Sequence, residues 1–209
     1  MPKIEPFEEH TSRYEDWFKK NKFVYESELR AIREQLPARG KGIEIGVGSG
    51  LFAAPLGIKF GVEPSAKMRE LARKRDIEVV EGVAEKLPFD DAQFEFALMV
   101  TTICFVDDIQ ASFKEAYRIL KPGGSLVIGF VDKKSPIGKL YQQHKMESVF
   151  YKTATFYSVD EVVSYLEKAC FGNFNFTQTI FHKFSQIKNE EPIKKGYGDG
   201  SFVVIRAIK

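Results

Sequence analysis

Gly46, Gly48 and Gly50 stand at alternate positions directly after the short run Gly42-Ile43-Glu44-Ile45, and one acid, Glu44, lies two residues before the first of them. This pattern reads as a buried strand running into a tight turn. Glycines there let the backbone bend sharply and let a ligand press against it. A nucleotide pyrophosphate would be repelled by the Glu44 carboxylate, whereas a ligand with a cationic end would be attracted. The dinucleotide fingerprint is G-x-G-x-x-G. Here the pattern is G-x-G-x-G, and Leu51 occupies the place where that fingerprint has glycine. A ligand-free strand-to-helix turn could use the same residues, so the glycines alone leave both readings open.

A second acid narrows the choice. Lys59-Phe60-Gly61-Val62-Glu63-Pro64-Ser65 reads as a short strand ending at Glu63, 17 positions after Gly46. A βαβ unit presents a carboxylate to a ribose at roughly 20 residues, and a carboxylate can accept hydrogen bonds from both ribose hydroxyls. Ser65 can cap a helix over 66–75 that carries Met68, Leu71 and Ala72 on one face. Glu63 could also be a solvated strand-end acid. Together with Glu44 and the glycines, it fits S-adenosylmethionine (SAM), which has a ribose and an α-ammonium beside a sulfonium.

Further along, Glu81-Gly82-Val83-Ala84-Glu85-Lys86-Leu87-Pro88-Phe89, the stretch Phe94 to Asp108, and Tyr117-Arg118-Ile119-Leu120-Lys121-Pro122-Gly123-Gly124 follow in order. With the two acidic motifs, they make the chain resemble a class I SAM-dependent methyltransferase of the small kind related to ubiquinone and menaquinone biosynthesis methyltransferases. The resemblance is close over 40–131 and loose elsewhere. It implies a cofactor site at Glu44, Gly46, Gly48, Ser49, Gly50, Glu63, Pro64, Ser65, Met68, Val83, Ala84, Glu85 and Thr101. In this arrangement Glu44 faces the ammonium directly or through water, and Glu63 holds the ribose. Met68 lies on the adenine or simply packs the core, and 83–85 border the adenine edge. Where many relatives have an Asp that accepts the adenine amino group, this chain has Val83. The edge would then be read by the backbone of Val83 and Ala84, or by Glu85. Glu95 replaces the usual Asp of the fourth strand.

The elements that must hold these residues alternate. A helical region is expected over about 11–36, broken near Asn21, with Leu29, Ile32 and Leu36 inward and Pro37 as its stop. Strands are expected at 42–46, 59–63, 77–81, 94–100, 125–131, 174–181 and 201–208. Only ten residues separate Gly50 from Gly61, with Pro55 among them, so the helix after the glycine turn should have about two turns. Asp107 or Asp108 can cap a helix whose Ile109, Phe113, Ala116, Tyr117 and Leu120 face inward and which ends at Pro122-Gly123-Gly124. Ser158 and Glu161 form a capping box for a helix closed by Gly172. The alternation implies a parallel sheet, and the last two strands, without a helix between them, an antiparallel edge hairpin. The expected fold is a Rossmann-like three-layer α/β/α domain with a mostly parallel seven-stranded sheet. It divides into an N-terminal helical lid (1–39), a SAM-binding core (40–131), and a substrate lid, last helix and hairpin (132–209).

Methyl transfer from a sulfonium is an in-line displacement that depends mainly on positioning. Tyr14, Trp17, Phe18, Thr102 and His144 are candidates for the acceptor side, although helix packing accounts for the aromatics equally well and a solvated surface for the histidine. His10, His144 and His182 are isolated in sequence, and no residue stands out as a general base. Asp107, Asp108 and Asp132 lack a metal-ligand pattern, so no metal is expected. Lys133, Lys134, Lys139 and Lys145 form a charge run, read as a solvated face or as attraction for an acidic acceptor.

The whole-chain numbers agree. The 209 residues suit one α/β domain, with 44% hydrophobic and 29% charged residues. A net charge of +2 gives no electrostatic case for a nucleic-acid partner. No apolar run approaches a membrane span, and Met1 to His10 is polar, without a signal-peptide core. Cys104 and Cys170 are the only cysteines. These features point to a cytoplasmic protein, monomeric or homodimeric. The expected activity is methylation of an O, N or C atom of a small molecule, yielding S-adenosylhomocysteine. Methylation of RNA or protein, and SAM binding without catalysis, are the alternatives.

Overall fold

The computed structural model describes residues 4–209; the first three residues of the lid and of the polar N-terminal segment lie outside the described residues. Three helices come first: α1 (Glu5–Glu9), α2 (Thr11–Lys20) and α3 (Lys22–Gln35). The alternating part follows with β1 (Gly42–Ile45), α4 (Ala53–Leu56), β2 (Phe60–Val62), α5 (Ala66–Arg73), β3 (Glu78–Val80), β4 (Phe94–Val100), α6 (Ile109–Ile119) and β5 (Leu120–Val131). The chain ends with α7 (Pro136–Gln143), α8 (Val159–Lys168), β6 (Gly172–Thr179), β7 (Lys194–Lys195) and β8 (Phe202–Ile208).

The strands form one sheet in the order β3-β2-β1-β4-β5-β8-β6-β7. The first five are parallel, and β8, β6 and β7 are antiparallel to their neighbours. The expected Rossmann-like α/β sheet is present, with one difference: the two-residue β7 adds an eighth strand beside β6. The expected antiparallel pair at this end of the sheet is β8 with β6, β8 joining it to β5.

Both faces of the sheet are covered. Along β4, Ala97 and Met99 join the core under α6 and α8, while Phe96, Leu98 and Val100 join the core under α3, α4 and α5. This period-two alternation of wholly apolar positions marks a central strand buried on both sides.

Local signals set most boundaries. Ser65 Oγ accepts from Met68 N–H at 3.2 Å, Asp108 accepts from Ala111 N–H at 3.0 Å, and Ser158 with Glu161 completes the capping box. Asn21 separates α2 from α3 as expected. Three expectations need correction. The helix after the glycine turn has one turn, not two, because Gly57 at φ +76° already ends it. Pro122-Gly123-Gly124 does not end α6. Strand pairing passes from Phe94–Leu120 to Phe96–Ser125, so these residues bulge out of β5. Gly172 starts β6, and Cys170 takes the left-handed position after α8. On α3, Leu29 and Ile32 are buried as expected, together with Val24, Ser27, Glu28, Ala31 and Gln35, while Leu36 is half-buried beyond the last turn.

Candidate active site

Gly46, Glu63, Gly82–Glu85, Thr101 and Val131 each lie at or just beyond the C-terminal end of a strand, and all of them face one cavity of about 670 Å³. The cavity opens where β1 and β4 adjoin and the chain reverses its direction of strand addition, the usual ligand crevice of an open α/β sheet. Its volume falls within the roughly 300–1,000 Å³ of sites that enclose a drug-sized ligand.

The three turn glycines have separate tasks. All have positive φ, where a side chain is disfavoured. A Cβ on Gly46 would stand 2.4 Å from Thr102 Cγ2, and one on Gly50 would stand 2.4 Å from Ile77 Cδ1. These two let neighbouring elements close in. Gly48 alone presents its missing side chain to the cavity, where the nearest atom is Tyr14 Oη at 3.4 Å.

Glu63 fastens this turn. One carboxylate oxygen accepts from Gly48 N–H and the other from Ser65 N–H, each at 2.9 Å. A carboxylate offers about four lone-pair sites, so acceptor capacity remains on the cavity side. Burial pushes the Glu63 carboxyl above its ordinary value, and the two N–H donors oppose that shift.

Of the other residues read from sequence, Pro64, Met68, Val83, Ala84, Glu85 and Thr101 line the cavity, as do Tyr14, Trp17, Phe18, Thr102 and His144. Glu44, Ser49, Gly50 and Ser65 are set back from its wall. Glu44 is buried behind the turn with Oε2 unpaired among the described residues, and burial raises its carboxyl well above the carboxylate range. Glu85 Oε1 accepts from Asp107 N–H at 2.7 Å and Asp108 N–H at 3.2 Å, which ties the 83–85 segment to the loop after β4. Thr101 holds φ +50°, a sparsely populated conformation for a β-branched residue. Its N–H bonds Gly129 C=O at 2.8 Å and its C=O accepts from Cys104 Sγ at 3.1 Å, which fixes the strained turn beside the cavity.

The N-terminal helices close over this rim. Arg75 donates to Ser49 C=O at 2.8 Å and to Glu15 of α2 at 2.5 Å, and Lys67 Nζ donates to Glu8 C=O of α1 at 2.6 Å. Phe7 meets Phe105 and Phe150 with ring centroids 5.0 and 5.5 Å apart. Lys133 and Lys134, read as part of a charge run, pair instead with Glu161 and Asp160 of α8, each at 2.5 Å. His144 is exposed at the cavity mouth, 3.2 Å from Glu147, whereas His182 pairs with Glu191 away from the cavity. Among the described residues, no group of three or more His, Cys, Asp or Glu side chains is placed to hold a metal ion, and no helix is long and apolar enough to cross a membrane.

Sequence reasoning missed Phe7, Phe105, Phe150, Tyr141, Tyr151 and Glu28, all of which line the cavity. The aromatics meet only through tertiary packing and have no local signature. Glu28 did leave a signal, an acid four residues from both Val24 and Ile32 on the buried stripe of α3.

Comparison with known proteins agrees with this geometry. A methyltransferase-domain family model matches residues 43–128. An uncharacterized protein of Methanocaldococcus jannaschii is 42% identical over 203 residues, covering 97% of this chain and 98% of that protein. A crystal structure of a SAM-dependent methyltransferase from Thermotoga maritima, named a possible histamine N-methyltransferase, is 52% identical, with 99% of each chain covered and a TM-score of 0.97. A demethylmenaquinone methyltransferase of Chlorobaculum tepidum is 34% identical over 110 residues, 48% of this chain and 46% of that protein. The chain belongs to the class I SAM-dependent methyltransferases, and it is an enzyme.

Proposed function

We propose that this cavity takes SAM along the Gly46–Gly48, Glu63 and Val83–Ala84 wall, and that the methyl acceptor is a small molecule. The cavity supports this division. Its sheet-side wall offers carboxylate and backbone groups suited to a ribose and an adenine edge. Its outer wall, built from α1, α2, α7 and the 145–153 segment, is mostly aromatic. Glu63 holds the turn through two N–H groups and keeps lone pairs for ribose hydroxyls. With Glu85 engaged at Asp107 and Asp108, the adenine edge falls to the backbone of Val83 and Ala84, and Met68 supplies an apolar surface. Glu44 stands behind the turn and would act on an ammonium through water.

When bound, SAM supplies an electrophilic methyl on a sulfonium. The chain's own residues orient the acceptor, exclude water and set the local charge.

The observation that carries the small-molecule reading is the cover itself. Phe7 meets Phe105 edge to face and Phe150 at a tilt across the rim, so aromatic rings cover part of the cavity mouth, a shape suited to a small molecule rather than to a polymer. The test is transfer of label from methyl-labelled SAM to three pools: small metabolites, total RNA and denatured protein. Label confined to the metabolite pool is expected. Label in RNA or protein with none in metabolites would overturn the reading.

A further inference from the structure

A buried acid outside the SAM wall lines the cavity. Glu28 lies on the apolar stripe of α3, is 5% exposed, and lines the cavity. No hydrogen bond or ion pair holds its carboxyl among the described residues. A buried carboxyl without a partner is costly, and a fold that keeps one inside a cavity is suited to a ligand that supplies the partner.

Its neighbours come from outside the 40–131 core. Tyr141 of α7 and Tyr151 both sense its charge, and their rings lie 4.8 Å apart. Phe184 links Tyr141 to Trp17, at 6.4 and 5.9 Å. An acid among aromatic faces is the recognition chemistry of an organic cation. The rest of the lining agrees: Glu63, Glu85, Asp107 and Glu147 are acidic, while Arg13 is the one Lys or Arg among the lining residues.

We propose that Glu28 binds the methyl acceptor, that the acceptor is an amine arriving as an ammonium ion, and that Glu28 takes its proton. This inference rests on the SAM reading of the same cavity. The N–H bond of the ammonium breaks, an O–H bond forms on Glu28, and the nitrogen is left neutral with a free lone pair. Formation of the C–N bond and cleavage of the S–CH₃ bond move the positive charge from sulfur to nitrogen. Glu28 passes its proton to water as the methylated ammonium leaves.

The proton balance is favourable. Burial alone pushes the Glu28 carboxyl up to about 8, so it can hold a proton at neutral pH and lose it on meeting a cation. The titratable groups facing it are Tyr25 of its own helix, pushed up to about 12, and Tyr141 and Tyr151, both displaced further upward. None changes charge near pH 8.

The test is calorimetry in the presence of S-adenosylhomocysteine with three amines, propylamine, cyclohexylamine and 2-phenylethylamine, each paired with the alcohol of the same skeleton. At least one amine is expected to bind at least tenfold more tightly than its alcohol, with affinity rising with pH and levelling at about pH 8. Glu28→Gln should lose that preference at least tenfold and lose the levelling. Glu28→Asp should retain part of both. Melting temperatures establish that the variants fold. Equal affinity for amines and alcohols, or an unchanged preference in Glu28→Gln, would overturn the proposal. SAM binding is measured separately. Its absence would remove the cavity assignment, whereas SAM binding without an amine preference would remove only the role of Glu28.

Discussion

Glu28→Gln keeps the size of the side chain and removes its proton-binding group, which makes the burial of that carboxyl measurable as stability. In the unfolded chain the carboxyl titrates near 4.5, and in the folded chain burial pushes it up to about 8. Between these values the unfolded state has released the proton while the folded state keeps it. Stability therefore falls as pH rises through this window, and the contribution present below 4.5 is gone above 8. At roughly 1.36 kcal/mol per pH unit, the full change is about 5 kcal/mol, and water reaching the cavity-facing oxygen would reduce it to about 2–5 kcal/mol. Glutamine does not titrate. Glu44 and Glu63, also raised by burial, are present in both proteins and cancel in the difference. Urea unfolding of both proteins at pH 5, 6.5 and 8 gives the difference directly. The variant should match the parent near pH 5 and exceed it by several kcal/mol at pH 8. A difference that does not change with pH would refute the burial of an unpaired Glu28.

Four further outcomes are expected. Gly50→Ala should cost about 2–4 kcal/mol, since positive φ and a 2.4 Å approach to Ile77 add; Gly57→Ala, with the same sign of φ but open space around it, should cost about 1–2 kcal/mol, and denaturant midpoints separate the two. Arg75→Ala cuts the ties to Ser49 and Glu15, so limited proteolysis within the N-terminal helices should accelerate while the unfolding midpoint of the core changes little. Ser158→Ala opens the capping box of α8 at a cost of about 1 kcal/mol. In the parent protein, the part of stability owed to Glu161, whose carboxyl is held at about 2 by Lys133 and Ser158, should be present above pH 4.5 and lost as pH falls toward 2.

What could be read from the sequence was local. Ser65, Asp108 and the Ser158–Glu161 pair announce helix starts because the capping bonds span three residues. The Gly46–Gly50 turn and the strand-end position of Glu63 likewise depend on neighbours in the chain. Features set by distant packing left less trace. Phe7, Phe105 and Phe150 come from three separate segments, and nothing in their spacing says that they meet. Pro122–Gly124 carries the signature of a helix stop, yet pairing of Phe94 with Leu120 draws it into β5 as a bulge. Glu28 was legible in principle. An acid at i+4 from Val24 and i−4 from Ile32 belongs to the apolar stripe, although the spacing of Leu29, Ile32 and Leu36 alone does not include it. Glu44 shows the converse: its place before the glycines is plain in sequence, while its position behind the turn rather than on the cavity wall depends on how β1 is buried on both faces.

The central claim is that Glu63 and the glycine turn form the cofactor wall of the cavity. Titration calorimetry of SAM into the parent protein and into Glu63→Ala tests it most directly, with NADH as a competitor and the melting temperature as a control for folding. One SAM site is expected in the parent, with no displacement by NADH and a loss of about tenfold or more in the variant, since charge-assisted hydrogen bonds contribute about 1.5–3 kcal/mol. Equal SAM affinity in a folded Glu63→Ala protein, or NADH binding in place of SAM, would contradict it.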